Sequence, residues 1–159
     1  MYYLLNILKW LRKIWIYKIL RRQTHGVRII LRDGEKVFLV KHPYDKFWVL
    51  PGGEIEKNET PEQAARREIT EETPYEITGA MQKLGTYANT TGGKNDIVHV
   101  FVSSEFTQHN QTRRAVDAFE IQKSGWFSVN NLPEISKATQ QRITEYVQGL
   151  TDIQDIWMK

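Results

Sequence analysis

The sequence of 159 residues predicts one α+β domain with a mixed β-sheet, preceded by a helical extension. Helix and strand patterns alternate along residues 25–149, with one central helix between two runs of strands. The length is that of a single domain, and 40% hydrophobic with 26% charged residues is a globular composition. The chain contains no cysteine, which excludes disulfides, thiolate metal sites and cysteine nucleophiles.

The first predicted element is a basic amphipathic helix over residues 1–23, which we separate from a domain at residues 24–159. In residues 2–20, 14 of 19 positions are apolar or aromatic, and neither glycine nor proline interrupts them. No acidic residue precedes Asp33, and 8 of the 22 basic residues lie before it. Residues 33–159 therefore hold 14 basic and 19 acidic residues, a net charge of −5. This acidic excess argues against nucleic acid as a partner.

Two interpretations of the N-terminal segment stay open. Charges at Lys9, Arg12 and Lys13 interrupt its apolar run, which argues against a secretory signal and against a membrane-spanning helix. The segment fits a helix at a membrane surface, and it also fits a helix packed on the domain or on a second subunit, which is the commoner use of an amphipathic helix. We expect a cytoplasmic protein, peripheral on the membrane under the first interpretation, with residues 1–22 contacting lipid or forming a homodimer contact.

The domain begins with a predicted β-hairpin. Residues 25–32 and 36–41 have strand patterns, and Asp33-Gly34 between them is a strong turn signal. Residues 47–50 form a short third strand, which leads into the irregular segment Pro51-Gly52-Gly53.

The central helix is predicted over residues 60–73. Thr60 is a good N-cap, Pro61 suits the first helical position, and Gln63 completes a capping box. Pro74 ends the helix, because proline disfavours helical conformation in the residue before it.

The second half of the domain is predicted to contain three more strands and a final helix. That helix is amphipathic, with Ile143, Tyr146 and Val147 facing inward. The strands are residues 81–89, 97–106 and 121–128, the first two joined by the turn Thr91-Gly92-Gly93; residues 107–118 are a polar loop and residues 136–149 the helix.

Three glutamates of the central helix form a candidate metal site. Glu68, Glu71 and Glu72 are spaced i, i+3 and i, i+4, so their carboxylates point to one side and repel each other. A cation would relieve this repulsion, and oxygen ligands without histidine or cysteine suit Mg²⁺ or Mn²⁺. The alternative for any single Glu-Glu pair is a solvated helix face.

Two further features of this stretch support the site. Arg67 can pair with Glu59, which would orient the acidic helix against the preceding loop. Gly52 and Gly53 lack side chains and permit close approach, so a backbone carbonyl there can join a metal shell.

Residues 52–75 resemble the Nudix box of the Nudix hydrolases, G-x5-E-x7-R-E-U-x-E-E-x-G-U, where U is a large aliphatic residue. Pro74 replaces the family's last glycine and Tyr75 its last aliphatic residue. These two departures change the geometry at the end of the helix and remove no metal ligand. The resemblance extends over residues 25–149 and is closest to small bacterial, MutT-like members. The matching residues are Gly53, Glu59, Arg67, Glu68, Ile69, Glu71 and Glu72 in the box, the lead-in Trp48–Gly53, and Glu120-Ile121, Trp126-Phe127 and Leu132-Pro133 after it.

The resemblance implies a Nudix fold, in which the mixed sheet is sandwiched between helices in an α/β/α arrangement. It also implies a divalent-metal-dependent hydrolase that cleaves a pyrophosphate bond in a nucleoside diphosphate linked to another moiety. No subgroup marker stands at residues 90–93, so the substrate is left as a nucleoside triphosphate, a nucleotide sugar or a similar small molecule.

The resemblance also assigns residues. The implied metal ligands are Glu68 and Glu72, with Glu71 as a third ligand or acting through water, and the Gly52 carbonyl as a candidate donor.

The implied catalytic set contains two candidate bases, Glu71 and Glu120, supported by Glu59 and Arg67. Arg113 and Arg114 are candidates for binding substrate phosphates, with a solvated pair as the alternative. Trp48, Tyr44 and Phe47 are candidates for base recognition, with ordinary core and loop packing as the alternative.

Two alternative functions remain. One is a non-catalytic nucleotide-binding module, which on this fold usually lacks box carboxylates that this chain retains. The other is a Nudix protein associated with a membrane or RNA through its basic N-terminus.

Overall fold

The computed structural model describes residues 24–89, 96–109, 121 and 123–156. The predicted N-terminal helix, the turn at residues 91–93 and most of the polar loop lie outside these ranges. Within them, no helix is long and apolar enough to cross a membrane.

The described residues form eight strands and two helices. The strands are β1 (His25–Asp33), β2 (Lys36–Lys41), β3 (Tyr75–Ile77), β4 (Gln82–Asn89), β5 (Asp96–Ser103), β6 (Phe106–Gln108), β7 (Lys123–Ser128) and β8 (Ile153–Ile156), and the helices are α1 (Pro61–Glu72) and α2 (Lys137–Val147).

The main sheet is mixed, as the sequence predicts. Its strand order is β7-β2-β1-β5-β4-β8. Strand β1 pairs parallel with β5, and β4 pairs parallel with β8, whereas the other neighbours are antiparallel. The short strands β3 and β6 form a second, antiparallel pair.

The two helices cover opposite faces of the main sheet. Successive strand residues point to opposite faces, so Ile29 packs in one cluster with Ile69 of α1. Its neighbour Ile30 packs in a second cluster with Ile143 of α2. The predicted α/β/α sandwich is therefore confirmed, and α1 is fixed against the sheet by its own apolar face.

Several predictions about individual elements are wrong. Residues 107–118 are not entirely a loop, because β6 runs through Gln108, and β3 and β8 were not predicted. Residues 47–50 form isolated bridges, Val40 to Val49 and Trp48 to Ile135, in place of a regular strand.

The inward face of α2 also differs from the prediction. Ile143 is buried as expected, but Val147 is 60% exposed. The buried positions include Arg142 and Glu145, which form an ion pair with Nε–Oε2 at 2.8 Å. The buried face is thus partly charged. A prediction made from apolar residues alone therefore places this face too close to the end of the helix.

Candidate active site

Helix α1 begins and ends as its sequence dictates. The Thr60 side chain accepts from the Gln63 amide at 3.2 Å and the Gln63 side chain accepts from the Thr60 amide at 2.9 Å, which confirms the capping box. At the other end both the amide and the hydroxyl of Thr73 donate to the Ile69 carbonyl. This cap lets the helix end before Pro74 without the glycine that the box usually has there.

Two of the three clustered glutamates belong to the buried face of α1. Glu68 and Glu72 continue the stripe that Ala65 and Ile69 begin, and each is only 8% exposed. Glu71 lies at the edge, with 30% of its side chain exposed. A solvated glutamate face is therefore excluded for Glu68 and Glu72.

The glycine loop runs along β1 and presses against these carboxylates. The Val27 amide donates to the Gly53 carbonyl at 2.8 Å. Gly52 has φ of +134°, and a Cβ there would lie 2.2 Å from the Val27 carbonyl oxygen. A Cβ at Gly53 would lie 2.5 Å from Glu68 Oε1. Gly52 thus requires glycine for its backbone conformation and its close approach to β1, and at Gly53 the lack of a side chain leaves the space that the Glu68 carboxylate occupies.

Glu72 is oriented by the loop and borders an aromatic pair. The Gly52 amide donates to Glu72 Oε2 at 2.8 Å. The other carboxylate oxygen lies 4.0 Å from Nε2 of the buried His42. The ring of Tyr44, which is 66% exposed, stacks on the His42 ring with centroids 5.2 Å apart. An exposed aromatic surface therefore lies next to the carboxylate cluster.

Arg67 joins the loop to the helix. Its guanidinium donates to both oxygens of Glu59 at 2.9 Å, which confirms the predicted pair. It also donates to Glu68 at 2.8 Å, to Glu71 at 3.2 Å and to the Glu54 carbonyl at 2.9 Å. One guanidinium thus holds three carboxylates and fixes the loop relative to α1.

The electrostatics differ between these carboxylates. The hydrogen bonds from Arg67 hold the pKa of Glu59 below its ordinary value. Burial raises the pKa of Glu68, and this effect outweighs the opposing hydrogen bond from Arg67. Glu68 is therefore a carboxylate whose charge lacks full compensation, which is the condition that a bound cation relieves.

The donor chemistry fits a hard divalent cation. Glu68, Glu71 and Glu72 of one helix supply carboxylate oxygens, the ligands that Mg²⁺ and Mn²⁺ prefer, and the Glu68 carboxylate fills the space above Gly53. The described part of the chain contains no preassembled group of three metal-binding side chains. The carboxylates instead bind the protein's own donors, since Arg67 contacts Glu68 and Glu71 while the Gly52 amide contacts Glu72.

The family follows from comparison with known proteins. The family model of the NUDIX domain matches residues 22–147. The chain belongs to the Nudix family. Its relatives carry the names of diphosphatases and pyrophosphatases, so its enzyme class is that of a Nudix pyrophosphohydrolase.

Individual relatives cover most of the chain. A Bacillus subtilis (strain 168) protein provisionally named an 8-oxo-dGTP diphosphatase is 30% identical over 126 residues, which are 79% of this chain and 80% of that protein. The ADP-ribose pyrophosphatase of the same organism is 27% identical over 129 residues, 76% of this chain and 69% of that protein. A solved Nudix hydrolase from Nitrosomonas europaea superposes with a TM-score of 0.69 at 21% identity, covering 82% of this chain and 93% of that one. This last likeness supports the fold.

Among the contacts that the sequence did not predict, one comes from β1. The Gly52 carbonyl, a predicted metal donor, accepts a hydrogen bond from the guanidinium of Arg28 on β1. Arg28 lies 24 residues before Gly52, outside the box, so box spacing gives no signal for it.

The structure places the remaining predicted site residues outside the carboxylate cluster or outside the described ranges. Trp48 packs edge-on against Phe127, with ring centroids 4.8 Å apart, in the cluster that α2 covers. Its role in substrate binding stays a prediction. Glu120, Arg113 and Arg114 lie outside the described residues.

Proposed function

We propose that this chain hydrolyses a pyrophosphate bond in a nucleoside diphosphate linked to another moiety, and that it requires Mg²⁺ or Mn²⁺. One observation carries the proposal: the buried carboxylates of Glu68 and Glu72 lie against the Gly52-Gly53 loop, beside Arg67. Burying two carboxylates is costly without compensating positive charge.

The cation would be held by Glu68 and Glu72, with Glu71 as a third donor. When bound there, such an ion would neutralise charge on phosphate oxygens and lower the pKa of a water molecule. The chain's own contribution is to orient these carboxylates, since the Gly52 amide and Arg67 fix them at 2.8 Å. Carboxylates held in place by such contacts can receive a cation with little rearrangement.

The reaction needs a base close to the phosphate. Water attacks one phosphorus, the bridging oxygen departs with the other phosphoryl group, and the base takes a proton from the attacking water. Glu71 is the first candidate, because it borders the cluster and 30% of its side chain is exposed. Glu120 is the second candidate.

The substrate class follows from the family. The names of the two Bacillus subtilis relatives specify 8-oxo-dGTP and ADP-ribose, and both molecules contain a nucleoside diphosphate. We propose that this chain acts on a small molecule with the same unit and leave the second moiety to experiment.

A substrate screen tests the proposal. Full-length protein is incubated with nucleoside triphosphates, nucleotide sugars, ADP-ribose and capped RNA, each with Mg²⁺, Mn²⁺ or a chelator, and released phosphate products are measured. We expect metal-dependent turnover of at least one nucleotide and a loss of about 100-fold in kcat for Glu72→Gln. Glu62→Gln, on the exposed side of the same helix, is the matched control and keeps full activity.

Two outcomes would contradict the proposal. One is a panel with no turnover in either metal. The other is tight nucleotide binding without hydrolysis, measured by calorimetry, which would favour the non-catalytic module.

The N-terminal segment supports a second, separate proposal. We propose that residues 1–23 act beside the domain at 24–159, in the cytoplasm, by contacting an anionic membrane or a second copy. Lys9, Arg12 and Lys13 carry the charge for lipid contact. Substituting all three with Gln should reduce flotation of full-length protein with anionic vesicles; unchanged flotation together with a concentration-dependent dimer in light scattering would favour the second-copy alternative.

A further inference from the structure

Arg28 contacts the candidate active site from the sheet. It lies on β1, and its guanidinium donates to the carbonyl of Gly52 and, at 3.3 Å, to that of Val27. Gly52 is also the residue whose amide holds Glu72. The guanidinium therefore lies at the junction of the glycine loop and the carboxylate cluster.

Within the described residues, Arg28 forms no hydrogen bond or ion pair with a carboxylate. In the described ranges its hydrogen bonds go to two neutral carbonyls, and no ion pair includes it. Its charge is close enough to Glu68 to oppose a small part of the rise that burial causes in the pKa of that carboxyl. Arg67, in contrast, is fully engaged by Glu59, Glu68 and Glu71.

The phosphates of a substrate are negatively charged, so the carboxylates of this cluster repel them. These phosphates need positive charge that is not already committed to the protein's own glutamates. A guanidinium presents five donors in a planar fork that matches two phosphate oxygens, and it exchanges a neutral carbonyl for an anion with a gain in hydrogen-bond strength. Among the guanidiniums that contact the cluster in the described residues, Arg28 meets this condition.

We propose that Arg28 binds a phosphate of the substrate, and that it leaves the Gly52 carbonyl to do so. This inference rests on the proposed function, because it assigns a residue to the phosphates of that substrate. The competing role is a brace, in which Arg28 only holds the glycine loop in place. A brace would support the carboxylates, so its loss would weaken metal binding and stability together.

The experiment separates these roles with full-length protein. Mn²⁺ binding is measured by electron paramagnetic resonance without substrate. Binding of imidodiphosphate, a pyrophosphate analogue with a non-hydrolysed bridge, is then measured by calorimetry at saturating Mn²⁺. The variants are Arg28→Gln and Arg28→Lys. The control Arg32→Gln removes the same charge from the same side of β1, where Arg32 contacts Tyr146 of α2 instead of the loop.

We expect Arg28→Gln to bind imidodiphosphate about tenfold or more weakly, with Mn²⁺ affinity equal to or tighter than wild type. The imidodiphosphate affinity of Arg28→Lys should lie between those of wild type and Arg28→Gln, because lysine keeps the charge and loses the planar fork. Arg32→Gln should match wild type. If Arg28→Gln does not fold, the imidodiphosphate affinities of Arg28→Lys and Arg32→Gln are compared instead, and the lysine variant should bind more weakly.

Two results would overturn the inference. One is imidodiphosphate affinity within about twofold of wild type. The other is a parallel loss of Mn²⁺ and imidodiphosphate binding, which indicates the brace. Either result leaves the proposed function intact when the wild-type protein turns over a nucleotide. If the wild type neither binds Mn²⁺ nor hydrolyses any nucleotide, the proposed function itself fails.

Discussion

The backbone amide of Gly52 donates to the carboxylate of Glu72 at 2.8 Å, so the glycine loop sets the position of the last carboxylate of α1. Gly53, the next residue, leaves room for a second carboxylate of this helix. The Glu68 carboxylate fills the space where a Gly53 Cβ would lie. Loop and helix thus form one unit, in which backbone groups orient two buried glutamates.

Gly53→Ala should therefore damage the site more than the fold. The added methyl displaces the Glu68 carboxylate, which lies 2.5 Å from the Cβ position and has little room because the residue is 8% exposed. We expect Mn²⁺ affinity to fall by about tenfold while the free energy of unfolding falls by about 1–2 kcal/mol. Calorimetric Mn²⁺ titration and urea unfolding measure the two effects.

The control for this substitution is Gly34→Ala. Gly34 has φ of +56° in the turn between β1 and β2, and nothing lies within 4 Å of its Cβ position. It should lose about 1 kcal/mol of stability from backbone strain and no Mn²⁺ affinity. Equal Mn²⁺ affinity in both variants would contradict the steric role of Gly53.

The pair of Glu59 with Arg67 predicts a dependence of stability on pH. Arg67 lowers the pKa of Glu59 below the ordinary value of 4.5 in the folded protein. A lowered folded pKa gives stability that is complete above the unfolded pKa and is lost as the pH falls through the folded value. The melting temperature of Glu59→Gln should lie below that of wild type at neutral pH, and the gap should close below about pH 4.5.

Differential scanning calorimetry of both proteins from about pH 7 to about pH 3 measures this gap. Glu56→Gln, an exposed glutamate three residues earlier, is the control and should follow the wild-type curve. A gap that stays constant across the acid range would show that the ionised form of Glu59 contributes nothing.

The sequence predicts the features that depend on residues close together in the chain. The start of α1 follows from Thr60, Pro61 and Gln63, because a capping box needs only neighbouring residues. The pairing of Arg67 with Glu59 follows from box spacing once the helix is placed.

The missed features depend on distant partners. Strands β3 and β6 have three residues each, too few for a period to be visible, and they exist because they pair with each other. Strand β8 joins the sheet by parallel pairing with β4, more than 60 residues earlier. The contact of Arg28 with Gly52 likewise depends on the loop folding back along β1.

Tyr44 is predicted to contact the substrate. It is exposed, it stacks on His42, and His42 lies 4.0 Å from Glu72, so its ring borders the carboxylate cluster. Stacking of a nucleobase on an aromatic ring contributes about 1–3 kcal/mol. Tyr44→Ala should raise KM about tenfold with kcat nearly unchanged, and Tyr44→Phe, which keeps the ring, should behave like wild type. Steady-state kinetics on the substrate found in the screen measure both, and an unchanged KM for the alanine variant would refute the contact.

The charged network under α2 predicts a large stability effect far from the active site. Arg142 is fully buried, its guanidinium lies 3.7 Å from the centroid of the Tyr87 ring, and both residues contact Glu145. Glu145→Gln removes a negative charge that this buried guanidinium contacts and should cost about 3–5 kcal/mol. Urea unfolding measures this cost.

The matched control for that variant is Glu134→Gln, which removes an exposed partner of Lys46 at 3.5 Å and should cost under about 1 kcal/mol. Because α2 and α1 cover opposite faces of the sheet, Glu145→Gln should keep wild-type Mn²⁺ affinity at temperatures where it is folded. If the two variants unfold at the same urea concentration, the buried pair stabilises the fold no more than a surface pair does.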